Sequence, residues 1–181
     1  MHYYKKIQYI AQVNKNDEIV GPVEKWKAHR ENILHRGFTV VLYVENKIFL
    51  QHRKHPVFDG VYDLTFSSHQ VYLGNKIQYD KDAVFEALTR EWNLNKNEIP
   101  QNGLKFLGKF YYQAKDPKSI YSEHEVDYVY SLTLSKSPKP NLDFAYDIQR
   151  TSLEEVKKYN SRFFPLFAPW AKEIIKLINK N

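Results

Sequence analysis

The chain has 181 residues, 43% of them hydrophobic, which suits one globular domain with its own core and excludes a disordered chain. Lysine and arginine outnumber aspartate and glutamate by 27 to 21, a net charge of +6 that favours anionic partners without naming one. Cysteine is absent, which excludes disulfides and every thiolate role and fits a cytoplasmic location.

The N-terminal MHYYKKIQYIAQV is too tyrosine-rich and interrupted for the apolar segment of a signal peptide, and no run approaches a membrane span. Residues 7–13 and 17–23 read as a hairpin around Asn14-Lys15-Asn16, closed by Gly21-Pro22. GFTVVLYV (37–44), the turn Glu45-Asn46 and KIFLQH (47–52) give a stronger hairpin signal. VYDLTF, from Val61, reads as a further strand, with HQVYL close behind. Over 81–92 the spacing predicts a helix: Val84, Ala87, Leu88 and Glu91 share one face, flanked by Phe85 and Trp92. Strands near 104–113 and 125–134, the loop SKSPKPN, and helices near 152–159 and 168–179 complete the chain. Antiparallel strands with helices in the middle and at the end predict a mixed sheet covered by helices on both sides, in one domain. The fourteen tyrosines and eleven phenylalanines fall mostly inside strand-like runs, as core residues do. No nucleic-acid signature accompanies them, so no such partner is expected.

Several polar features stand out from this frame. Glu91 sits on the apolar face of its helix, where a carboxylate either curls out to water or is paired, with a cation or a metal. His69 follows a strand and projects to the same side as Ser67. His29 and His35 lie in KAHRENILHRGF, just before a strong strand. HRKHP (52–56) is a cationic turn of the kind that either faces water or cradles phosphate oxygens. In SEHEVD, alternation stacks Glu123, Glu125 and Asp127 on one side of a strand. Three like charges in a row meet either water or something positive. Imidazoles with carboxylates suit Mn, Zn or Mg, but spacing alone does not bring these groups together.

The order LHRGF, LQHR, FDGVYDLTFSSH, a helix ending REWNL, YYQAKDP, SEHEVDYVY and LFAPW resembles the type I isopentenyl-diphosphate isomerases, a branch of the Nudix superfamily. The resemblance runs over residues 24–175, with the motifs in the family's order. It implies a Nudix-type α/β/α sandwich with a mixed, largely antiparallel sheet, extended by an N-terminal hairpin over residues 1–24. It also implies one Mn²⁺ or Zn²⁺ held by His29, His35, His69, Glu123 and Glu125, and a Mg²⁺ that bridges the substrate diphosphate and is touched by Glu91. Tyr112 matches an active-site tyrosine, and Arg53 and Lys54 fall in the diphosphate-binding loop. The implied chemistry adds a proton at one end of an allylic system and removes one at the other, which needs an acid and a base in a water-poor pocket. Glu125 matches one of them, and a small diphosphate is the implied partner of a monomer or homodimer.

The chain departs from the family at four places. Ser67 stands where the family carries its catalytic cysteine, and a serine hydroxyl does not ionise near neutrality without help. Pro165 stands where a cation-stabilising tryptophan is expected, leaving Phe163 or Phe164 to offer a ring. Ala87 replaces a phosphate-contacting arginine, and His29 is one residue closer to His35 than in the family pattern. The hydrolase box is eroded too: alignment on Trp92-Asn93-Leu94 puts Gln78 at its first glutamate, Glu86-Ala87 at Arg-Glu, Arg90-Glu91 at Glu-Glu and Asn93 at its glycine. The sequence therefore supports a metal-dependent isomerase-like enzyme first, with a hydrolase of nucleoside or prenyl diphosphates and a non-catalytic diphosphate binder as alternatives.

Overall fold

The computed structural model describes residues 3–179. Strands β1 (Tyr9–Val13) and β2 (Ile19–Glu24) form the expected N-terminal hairpin. A helix that the periodicity does not announce follows, α1 (Lys25–Arg30). Glu24 caps it, its carboxylate accepting the backbone N–H of Trp26 at 2.8 Å and of Lys27 at 2.7 Å. Strands β3 (His35–Val44) and β4 (Lys47–Arg53) form the second expected hairpin.

VYDLTF is not one strand but two, β5 (Tyr62–Leu64) and β6 (Phe66–Ser68), broken at Thr65, whose φ is 49°. The Thr65 hydroxyl offsets this break by donating to Phe49 O at 2.7 Å and accepting the Leu42 N–H at 2.9 Å. The chain thereby changes partner, β5 pairing with β4 and β6 with β3. The strand expected in HQVYL shrinks to β7 (Tyr72–Leu73), paired with β8 (Lys76–Ile77). Helix α2 (Asp80–Trp92) ends at Asn93, a left-handed residue. Then come β9 (Lys105–Lys115), β10 (Ser122–Thr133), the unexpected β11 (Ala145–Ser152), α3 (Leu153–Lys157) and α4 (Pro169–Ile178).

Among the described residues nine strands share one sheet, antiparallel except where β10 runs parallel to β3. Side-chain alternation divides its two faces. Phe38, Val40, Leu42, Tyr130 and Leu132 pack with Val84, Leu88 and Trp92 of α2. Val41, Leu50, Leu64 and Val129 pack with Trp170, Ala171 and Ile174 of α4. Glu123, Glu125 and Asp127 alternate in step with Val129, and all three are buried. The acidic face of SEHEVD does not meet water. Among the described residues no helix is long and apolar enough to cross a membrane.

Candidate active site

Four segments converge where β3 begins. Helix α1 carries His29, β3 starts on His35, His69 follows β6, and β10 supplies Glu123 and Glu125. The parallel register sets Glu125 beside His35. His29 Nδ1 lies 2.7 Å from Lys25 O, and His35 Nδ1 lies 2.8 Å from Ile33 O. A carbonyl only accepts, so each Nδ1 carries the hydrogen and each Nε2 presents a lone pair. Those lone pairs face carboxylate oxygens: His29 Nε2 is 3.3 Å from Glu123 Oε2, and His35 Nε2 is 3.3 Å from Glu125 Oε1. His69 Nε2 lies 2.9 Å from the same Glu125 oxygen.

Two acceptors facing each other in a buried site repel unless a proton or a cation lies between them. His29 Nε2, His35 Nε2 and Glu123 Oε2 have no hydrogen-bond partner, and ligand atoms from His29, His35, His69 and Glu123 all lie within 4.8 Å of one another. Orphaned imidazole nitrogens, Nδ1 atoms anchored on carbonyls and clustered carboxylates are the donor set of a divalent metal site. The residues fit the group. Burial alone would depress His35, but the negative charge of Glu125 beside it outweighs this and raises the imidazole. At His69 burial wins and lowers the ring to about 3. Glu125 is held well below the carboxylate range, because the two imidazoles outweigh its burial.

The same cavity, about 20 Å³, is lined by Ser67, His69, Glu123 and Glu125 on one side and by Lys25, Arg53, Arg90 and Glu91 on another. Lys25 is buried, with Nζ 5.0 Å from the Trp26 ring. Arg90 donates to Ser68 Oγ at 3.0 Å and to Glu91 at 2.7 Å, and its guanidinium stands 4.3 Å from the Tyr3 ring centroid. Arg53 pairs with Asp63 at 2.9 Å, yet its Nε has no partner. Lys54 does not join them: its ammonium turns away to donate to Leu142 O at 3.1 Å. Tyr112 lies in the wall and donates to Glu125 Oε2 at 2.5 Å. Phe163 and Phe164, expected to replace a missing ring, pack against Tyr62 and Tyr159 instead, and Trp170 supplies the ring in the wall.

Behind Ser67 lies a buried polar chain that sequence reasoning did not assemble. Ser67 Oγ donates to Asp63 Oδ2 at 2.9 Å and lies 2.7 Å from Thr39 Oγ1, which is 2.9 Å from Asp127 Oδ2. Two hydroxyls bring two hydrogens to three oxygen–oxygen contacts, so the chain is complete only with one more proton on a carboxyl. Burial, and then the charge of Glu125, push the Asp127 carboxyl well above the usual range, although the Thr39 hydroxyl donates to it. Asp63 takes three other donors, from Arg53 and Trp170 Nε1, each at 2.9 Å, and from Leu64 N–H at 2.8 Å. The one available signal for it was a charged residue inside the apolar run VYDLTF. Lys25, four residues before His29, carried no such signal among so many surface lysines.

No protein-family model matches the chain. Among curated proteins it is similar to isopentenyl-diphosphate Delta-isomerase 1 of Mesocricetus auratus, 30% identical over 192 aligned positions that cover 94% of this chain and 84% of that protein. The protein of the same name from Mus musculus is 30% identical over 191 positions, covering 94% and 83%. Among solved structures, DR0079 from Deinococcus radiodurans superposes with a TM-score of 0.68 at 15% identity, covering 93% of this chain and 97% of that one. A MutT NUDIX hydrolase from Burkholderia pseudomallei gives 0.57 at 15% identity, covering 80% and 98%. At that identity the solved structures speak for the fold alone, and the fold is the expected mixed, largely antiparallel α/β arrangement of Nudix proteins. Sequence identity along nearly the whole chain adds the branch: this is an enzyme of the Nudix superfamily, and it belongs to the isopentenyl-diphosphate isomerase family.

Proposed function

We propose that the protein is a metal-dependent isomerase that shifts the double bond of isopentenyl diphosphate or a closely related small diphosphate, with Ser67 in the place of the family's cysteine. One observation carries this reading. A single cavity joins the His/Glu cluster, a cationic wall and two separately hydrogen-bonded proton carriers, Tyr112–Glu125 and Ser67–Asp63. His29, His35, His69, Glu123 and Glu125 would hold one Mn²⁺ or Zn²⁺, and Glu91 would contact a Mg²⁺ that arrives with the diphosphate. A bound divalent cation supplies positive charge that offsets the clustered carboxylates.

The chain's own residues do the rest. Lys25, Arg53 and Arg90 offset the diphosphate charge. Trp170 and Tyr112 offer ring faces to positive charge that develops on the organic group. A proton taken up from water by the Tyr112–Glu125 pair is delivered to one carbon, and Ser67 receives one from another. A cavity of about 20 Å³ holds roughly one water, so substrate enters only when lining side chains such as Tyr3 and Tyr4 give way.

The hydrolase reading has less support. Gln78, at the position of the box's first glutamate, is committed to the fold, accepting the Val71 N–H at 3.0 Å and donating to Glu86 at 2.8 Å. The test is an assay of metal-loaded protein with the two five-carbon diphosphates. Interconversion that Glu125→Gln abolishes supports the isomerase; phosphate release points to the hydrolase, and tight binding without turnover to a decayed relative.

A further inference from the structure

Ser67 is the one residue of its buried chain that lines the cavity; Asp63, 0% exposed, lies behind it and is not part of the cavity wall. A serine hydroxyl by itself is a poor acceptor of a proton from carbon, because it must shed its own hydrogen as it gains another. The hydrogen of Ser67 already points at a carboxylate oxygen 2.9 Å away, at the distance over which a general base works. The acid is also costly where it stands, on a short strand between Tyr62 and Leu64, so a position that only filled the core would take an apolar residue.

Resting on the isomerase reading, we propose that Asp63 makes Ser67 competent: it fixes the hydroxyl and takes up its hydrogen, so that the serine collects a proton from substrate carbon without ionising. The step balances. The substrate C–H bond breaks and its electron pair becomes the new carbon–carbon double bond. That proton forms an O–H bond at Ser67 Oγ while the original Ser67 hydrogen moves to Asp63 Oδ2. The charge of Asp63 is neutralised as the positive charge created at the substrate by protonation from the Glu125 side is quenched. Between turnovers the proton leaves by the same hydroxyl to water. Asp63 acts through Ser67, as a positioning residue. Arg53, Trp170 Nε1 and Leu64 N–H hold its carboxylate in place for that exchange.

The experiment compares Asp63→Asn in two backgrounds, the natural chain and Ser67→Cys, each metal-loaded and checked for folding by its melting temperature and Mn²⁺ uptake. A thiol near pH 8.5 ionises by itself and needs no helper. The expected result is a fall in kcat of about 100-fold or more in the serine background, with KM changed by less than about threefold, and a loss under about tenfold in the cysteine background. Equal losses in both backgrounds would mean that Asp63 only supports the fold and would overturn the proposal, as would no loss in the serine background. Should Asn at 63 prevent folding, the natural chain still decides. With substrate deuterated at the carbon that loses its proton, D₂O should slow that step further in the Ser67 enzyme but not in Ser67→Cys, whose thiolate has no hydrogen to hand on. The same D₂O effect in both overturns the relay. Equal losses in a natural chain that turns over overturn this proposal alone and leave the isomerase reading; an inert natural chain overturns both, and activity gained by Ser67→Cys then marks a decayed isomerase.

Discussion

Replacing Glu123 by Gln should separate the two roles of the buried cluster. Glu123 Oε2 faces His29 Nε2 at 3.3 Å, acceptor against acceptor, with no other partner for either atom. An amide at 123 can turn its N–H toward that nitrogen and replace a repulsion with a hydrogen bond, of the order of 1 kcal/mol. The apo variant should therefore melt at or above the apo wild type. With Mn²⁺ at about one hundred times the dissociation constant, the wild type gains about 2.7 kcal/mol, which for a chain of this size is roughly 5–11 °C in melting temperature. If losing one carboxylate ligand weakens Mn²⁺ about 100-fold, the same concentration stabilises the variant by only about 0.4 kcal/mol, or roughly 1–2 °C. Calorimetric or fluorescence melting with EDTA and then with Mn²⁺ reads all four numbers. An apo variant well below the apo wild type, or a Mn²⁺ shift of equal size in both, would refute the lone-pair geometry and the metal site built on it.

Tyr112→Phe removes the hydrogen bond to Glu125 Oε2 and should lower kcat by about 10–100-fold with KM little changed; steady-state kinetics with an unchanged kcat would count against it. Lys25→Ala should raise KM for the diphosphate by about tenfold or more, whereas Lys54→Ala should leave KM unchanged, since Lys54 is tied to Leu142 O away from the cavity. The reverse order would move the anion site. At Asp17 burial pushes the carboxyl up, but hydrogen bonds from Lys109, Tyr128 and Arg36 outweigh it and hold it below the usual range. A depressed folded pKa stabilises above the unfolded value and loses that stabilisation as pH falls through the folded one. Unfolding midpoints should therefore drop below about pH 4, and Asp17→Asn should flatten part of that drop.

Much of this architecture is legible in the sequence where side-chain periodicity is strong. The two hairpins, α2 and the α4 face follow from apolar spacing, and Glu91 on the apolar side of α2 is indeed buried and paired with Arg90. Alternation also placed Glu123, Glu125 and Asp127 on one face. Whether that face met water or a cation depended on the register of β10 against β3 and on what covers it, which no local pattern contains. β11 escaped notice because an edge strand reading AYDIQRTS is half-exposed and does not alternate, and α1 because six residues capped by a glutamate show neither period nor a favoured cap. The break at Thr65 was invisible for a similar reason: nothing in VYDLTF announces a left-handed threonine. That break swings β6 onto β3, pairs Ser67 with Thr39 and so completes the polar chain to Asp63.

The most direct measurement follows metal-loaded protein and isopentenyl diphosphate in D₂O by nuclear magnetic resonance. The account predicts that the allylic isomer appears with deuterium in the newly formed methyl group, no inorganic phosphate is released, and Glu125→Gln removes the signal. Phosphate release without the isomer, or substrate left untouched by the natural chain, would contradict it.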